Sequence, residues 1–174
     1  MRKLLILENP GYTPAHREEL VKKARSVASV IAVRIATSHI EVDVKTEEDT
    51  TTMASKIEKI IGARLLNVVD ITFEKVEGGV RKFVELFNAE RFWEAHDALE
   101  DTWRETRNPT LQGLIMLAAA YVKLQEGSLD KFQKLIQEAI GLIKDDVECV
   151  RAGEVRKKAE RALLEKKPFK ITCP

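Results

Sequence analysis

Hydrophobic and polar positions alternate in steps of two through the first part of the chain, then recur in steps of three and four, with the change near Val76-Glu77-Gly78-Gly79. A period of two is the repeat of a strand with one buried face, and a three-four repeat that of a helix. The change of period predicts two domains, at 1–77 and 78–168, followed by a short tail at 169–174.

In the first part, Lys3 to Leu7 reads as a buried strand stopped by Asn9-Pro10-Gly11. Thr13-Pro14 supplies a cap and a first-turn proline for a helix whose Leu20, Val21, Ala24 and Val27 share a face. Val30 to Ala36 and Ile40 to Lys45 form a hairpin around Thr37-Ser38-His39, because Ile40, Val42 and Val44 alternate with Glu41, Asp43 and Lys45. A second helix covers about 51–61 and stops at Gly62. Val69, Ile71 and Phe73 then alternate with Asp70, Thr72 and Glu74 in a last strand. The order β-α-β-β-α-β is that of a ferredoxin-like split βαβ unit, a fold that hosts many unrelated functions. It implies no iron–sulfur cluster here, since this part contains no cysteine.

The second part predicts five helices, at about 79–89, 91–106, 109–126, 129–146 and 152–167. Asn108-Pro109 opens the third with a cap and an N1 proline, and Gly127-Ser128 closes it and starts the next. From Leu111 to Val122 only Gln112 interrupts the apolar residues, which marks the third helix as the central one. Gly113 and Ala120 share one of its faces and allow a neighbour to come close. The fold class is therefore α+β: a ferredoxin-like βαββαβ domain followed by an all-α bundle of about five helices.

The chemistry concentrates in Phe87 to Arg104, which holds both tryptophans and one of the three histidines. At about 100° per residue, Ala95, Leu99, Phe92, Trp103, His96, Glu100 and Trp93 follow one another around a single face. Asp97, Asp101, Arg104 and Glu94 take the other side, so His96 and Glu100 are expected to point inward. An i,i+4 pair has its Cβ atoms about 5–6 Å apart and can share a hydrogen bond or converge on one ligand. A buried carboxylate needs a partner, and His96, Gln112 or an indole N–H would serve. Two readings stay open: a satisfied core network, or a small pocket floored by Trp93 and Trp103 with His96, Glu100 and Gln112 as its polar groups.

Phe87-Asn88, Phe92-Trp93-Glu94-Ala95-His96, Leu99-Glu100, Trp103-Arg104, Leu111-Gln112-Gly113-Leu114-Ile115 and Leu117-Ala118-Ala119-Ala120-Tyr121 together resemble the signature of the helical family catalogued as domain of unknown function 309. The resemblance covers about residues 78–145 and implies a compact helical bundle with no established activity. It also implies glycine at position 90, where this chain has Glu90, which argues against a left-handed turn there.

Composition narrows the functions. With 29 basic and 28 acidic residues the net charge is +1, which argues against nucleic acid and against a membrane surface as partners. Locally the balance shifts: residues 77–150 hold 9 basic and 14 acidic side chains, and residues 151–170 hold 8 and 3. Either the basic last helix lies across the acidic bundle, or it meets an anionic partner. Cys149 and Cys173 are too few for a disulfide framework; a single bridge between them stays open, with reduced thiols the favoured expectation. Leu4-Leu5-Ile6-Leu7 is far too short for a signal-peptide core or a membrane span, so a cytoplasmic protein is expected. A charged fraction of 33% is compatible with a thermophilic source.

A metal ion has the weakest support, since no second helix of the bundle supplies a histidine and His16, His39 and Cys149 lie far along the chain. No phosphate-binding glycine loop or nucleophile elbow is present. The favoured expectation is a non-enzymatic binding or regulatory module for a small molecule or protein segment, with no cofactor and with homodimers formed through open sheet edges that have Val42 and Val44 nearby. The alternative is a small-substrate hydrolase or proton-transfer enzyme, metal-assisted or not, with His96 and Glu100 as acid and base.

Overall fold

The computed structural model describes residues 1–73 and 75–174. It divides into two compact units, residues 1–74 with 125–127, and residues 75–124 with 128–174.

The first unit is a sheet with helices in the order β1 (Arg2–Glu8), α1 (Arg17–Arg25), β2 (Ser29–Ile35), β3 (His39–Lys45), α2 (Thr50–Ile61) and β4 (Leu65–Asp70). A 3-10 turn at Pro14–His16 leads into α1. The strands lie in the order β2-β3-β1-β4 with every neighbouring pair antiparallel. This is the ferredoxin-like arrangement that the element order predicts. Alternation places Leu5, Leu7, Val33, Ile40, Val42 and Val44 in one core with Leu20, Met53, Ile57 and Ile61 of the helices. Asp49 caps α2 by accepting from the Thr52 N–H at 3.0 Å, and Gly62 ends the helix at φ 74°.

Two features differ from expectation. The last strand is Leu65–Asp70 rather than a strand through Ile71 and Phe73, and Glu74 lies outside the described residues. The reason is local. The Ile71 N–H reaches the carbonyl of Arg2, where β1 opens, while Asp70 Oδ1 accepts from the Thr72 N–H at 2.9 Å and turns the chain away. Second, Val42 and Val44 belong to an inner strand and are fully buried, so they border no open edge. The edges are β2 and β4. Their pairing registers break at the exposed residues Ile31 and Leu66, as β-bulges do.

The second unit comprises α3 (Gly79–Asn88), α4 (Phe92–Thr106), α5 (Pro109–Gln125), α6 (Leu129–Leu142) and α7 (Ala152–Glu165). Its core gathers Phe83, Phe87, Phe92, Leu114, Tyr121, Phe132 and Ile136 around α5. Phe92 stacks on Tyr121 with ring centroids 4.7 Å apart. Asn108 Oδ1 accepts from the Thr110 N–H at 2.8 Å, the predicted cap of α5. Gly113 permits the expected close approach, because a Cβ there would lie 2.6 Å from Ile143 Cγ1.

Here too the structure corrects the sequence reading. The turn into α4 is left-handed although position 90 is not glycine, with Glu90 at φ 58°. The Arg91 N–H donates to the Leu86 carbonyl at 2.9 Å and holds that turn. Helix α6 stops at Leu142 rather than near 146, because Thr110 Oγ1 accepts from the Lys144 and Asp145 N–H groups at 3.3 and 3.2 Å and draws the chain out of the helix. The cysteines are not free thiols: Cys149 and Cys173 are joined by a disulfide, with Cα atoms 4.9 Å apart.

Among the described residues, no helix is long and apolar enough to cross a membrane.

Candidate functional site

Helix α4 buries Phe92, Glu94, Ala95, Ala98 and Leu99, an arc rotated away from the apolar stripe read off the sequence. Glu94 was expected outside and is inside. Arg91 neutralises it with two parallel hydrogen bonds, Nε to Oε2 at 2.5 Å and Nη2 to Oε1 at 2.6 Å, which is how a carboxylate can be buried. That rotation leaves Trp93, His96, Glu100 and Trp103 along the border of the core, half-buried. The side chains of His96 and Glu100 remain 34% and 30% exposed, so neither points fully inward.

Along this border the polar groups form a row. His96 Nε2 stands 3.7 Å from Glu100 Oε1, outside hydrogen-bond distance, while Arg104 Nη2 donates to Glu100 Oε2 at 2.9 Å. The partner found for Glu100 is thus Arg104, one turn further on, rather than Gln112. Gln112 is half-buried on α5, and no hydrogen bond among the described residues joins its side chain to Glu100. Both tryptophans pack against the helical core, and the Arg107 guanidinium sits 4.7 Å over the Trp103 ring centroid. The structure therefore brings Trp93, His96, Glu100 and Trp103 onto one face of one helix.

A second polar constellation, not foreseen from the alternation, lies on the sheet of the first unit. Arg2, Arg34, His39, Glu41 and Asp43 share it, and all but Arg2 are buried. Arg2 grips both Asp43 oxygens, from Nε at 2.9 Å and from Nη2 at 2.6 Å. Arg34 Nη1 donates to Glu41 Oε2 at 3.3 Å, and His39 Nε2 lies 3.4 Å from the other Glu41 oxygen. Every carboxylate here has a cation, so folding alone accounts for the cluster. The signal was present in the sequence, as Arg34 interrupts an apolar strand directly opposite Glu41.

The region around α7 holds the other groups that sequence reasoning left unassigned. Burial pushes the Tyr121 phenol well above its usual range, with the nearby Glu90 charge adding to the effect. The protonated hydroxyl donates to the Lys167 carbonyl at 2.8 Å. The Lys158 ammonium, and then the Thr172 hydroxyl, hold Glu154 below the ordinary carboxylate range. Among the described residues, no three His, Cys, Asp or Glu side chains gather as a metal ion would require.

No curated protein and no solved structure matches this chain. A family comparison does reach the helical unit: residues 80–135, from α3 into α6 and including the whole α4 face, match the family described as Domain of unknown function (DUF309).

Proposed function

We propose that the helical unit is a binding module whose α4 face, built from Trp93, His96, Glu100 and Trp103, receives a small molecule or a protein segment, with Gln112 completing the polar set. The observation that supports this is the half-burial of two tryptophans beside an incompletely satisfied histidine and carboxylate. Aromatic rings with a polar handle at the edge of a core are the side chains that binding surfaces favour. The chain has two tryptophans and both lie here, so tryptophan emission, excited where tyrosine does not absorb, reports on this face alone. Native mass spectrometry of gently purified protein is expected to show a retained ligand, whose loss shifts the tryptophan emission and which Glu100→Gln or His96→Ala fails to keep. A retained mass indifferent to both substitutions, or a protein with no ligand and unchanged emission across small-molecule and peptide libraries, would oppose this reading.

The enzymatic alternative draws on one feature. His96 makes no hydrogen bond among the described residues, which leaves its imidazole available as a general base beside Glu100. In that reading the substrate is small and the reaction a hydrolysis or proton transfer, with or without a metal ion. Hydrolysis of p-nitrophenyl acetate abolished by His96→Ala, with ligand retention unchanged, would favour it over binding alone.

The setting belongs to the same proposal. A cytoplasmic protein carrying the Cys149–Cys173 disulfide fits a thermophile, whose intracellular proteins keep such bonds, better than a mesophile. Homodimer formation through β2 or β4 is part of the proposal as well, with the bulges at Ile31 and Leu66 limiting how far those edges can pair.

A further inference from the structure

Residues 167–173 are not a loose tail. The Lys167 carbonyl accepts from the Tyr121 hydroxyl, and Phe169 packs its ring against Phe87 at 5.5 Å between centroids. The Lys170 carbonyl accepts from Lys158 Nζ at 2.8 Å. Asn88 holds Ile171 twice, donating to its carbonyl at 2.9 Å and accepting from its N–H at 2.7 Å. Cys173 is bonded to Cys149. The segment is a strap, fixed at almost every residue, that runs back beside α7.

Strap and helix enclose a groove of about 340 Å³, and a second hollow of about 240 Å³ adjoins it along α7. Lys157, Lys158, Arg161, Lys167 and Lys170 line the two. The acidic groups there are Glu154 and Glu165, and Glu154 is already paired with Lys158 at 2.7 Å. Lys157, Arg161, Lys167 and Lys170 form no ion pair among the described residues, although the chain carries nearly as many acidic residues as basic ones. Ala162, Pro168 and Phe169 give the groove an apolar side. Four unpaired cations converge on a concave, partly aromatic surface, whose strap is held by the disulfide and by the hydrogen bonds of Tyr121, Asn88 and Lys158 rather than by those four cations.

We propose that this groove binds an organic phosphate, a small molecule with at least two negative charges and an apolar or planar group. The charges match the lysines and Arg161, whose planar fork suits phosphate oxygens. The apolar part lies on Phe169 and Pro168. The volume is that of a small-molecule site, and the site lies outside the 80–135 segment similar to the family.

The test is isothermal titration of the full chain with adenosine 5′-diphosphate, inorganic pyrophosphate and a single-stranded 20-nucleotide DNA at moderate salt. Saturable binding of the diphosphate nucleoside is expected, at least tenfold tighter than pyrophosphate. Arg161→Ala and the pair Lys167→Gln/Lys170→Gln are each expected to weaken it at least fivefold, while Lys59→Ala on α2 leaves it unchanged. All four substituted side chains are exposed, so the variants keep the fold, which circular dichroism verifies. Reducing the disulfide with dithiothreitol is expected to weaken binding by loosening the strap. No saturable binding would overturn the proposal. So would equal affinity for pyrophosphate, which removes the role of Phe169, equal loss in Lys59→Ala, or tighter binding of the DNA.

Discussion

Glu94 and Glu100 stand on the same helix, and their fates are decided by which arginine can reach them. Arg91 lies three residues before Glu94 and holds it in the core, whereas Arg104, one turn beyond Glu100, keeps that carboxylate at the surface. For His96 and Glu100 the consequence is weak coupling. Half-exposed ion pairs contribute about 0.2–1 kcal/mol, and the 3.7 Å separation favours the low end. A double-mutant cycle on His96→Ala and Glu100→Ala, read by chemical denaturation, is expected to give a coupling energy below about 1 kcal/mol. A value above about 2 kcal/mol would mean a buried, desolvated pair. Glu154 supplies the pH counterpart. Its folded pKa is depressed by Lys158 and Thr172, so its contribution is present above its ordinary value of 4.5 and is lost as the pH falls through the lower folded value. Melting temperature is expected to hold steady down to about pH 5 and then drop, with a shallower drop in Glu154→Gln. An identical acid limb in that variant would remove Glu154 from the account.

At the scale of elements, close packing is written into α5. Replacing Gly113 by alanine gains up to about 1 kcal/mol of helix propensity. It also places a methyl 2.6 Å from Ile143 Cγ1 and 3.1 Å from the Ala139 carbonyl, and backbone cannot yield as a flexible side chain does. Gly113→Ala is therefore expected to destabilise by about 1–3 kcal/mol in chemical denaturation. A neutral or stabilised variant would show that α5 and α6 have slack there.

For the whole molecule, the division falls earlier than the two glycines suggested. Lys75 pairs with Asp101 at 3.3 Å and the Val76 N–H donates to Asp97 at 3.1 Å, so the chain already belongs to the helical unit before Gly78. Phe73 is 92% exposed. Limited chymotrypsin digestion is expected to cut after Phe73 and leave a stable helical fragment, and cooperative loss of both units would contradict their independence. Light scattering is expected to give twice the 19.7 kDa of one chain, and a value near 19.7 kDa would rule out the dimer.

Periodicity by itself determined the order of the helices and strands seen among the described residues, and the caps at Asn108 and Gly62, because those depend on residues close along the chain. The resemblance in Phe87 to Tyr121 was legible for the same reason. Tertiary structure decided which arc of α4 is buried, since a helical wheel ranks side chains by type and cannot know that Arg91 neutralises Glu94. It decided where β4 ends, which depends on where its partner begins. It also decided that the final residues form a disulfide-anchored wall beside α7, because Asn88, Tyr121 and Cys149 reach that strap from distant parts of the chain. Burial, pairing and cavities are properties of residues far apart in sequence, and only the folded chain brings them together.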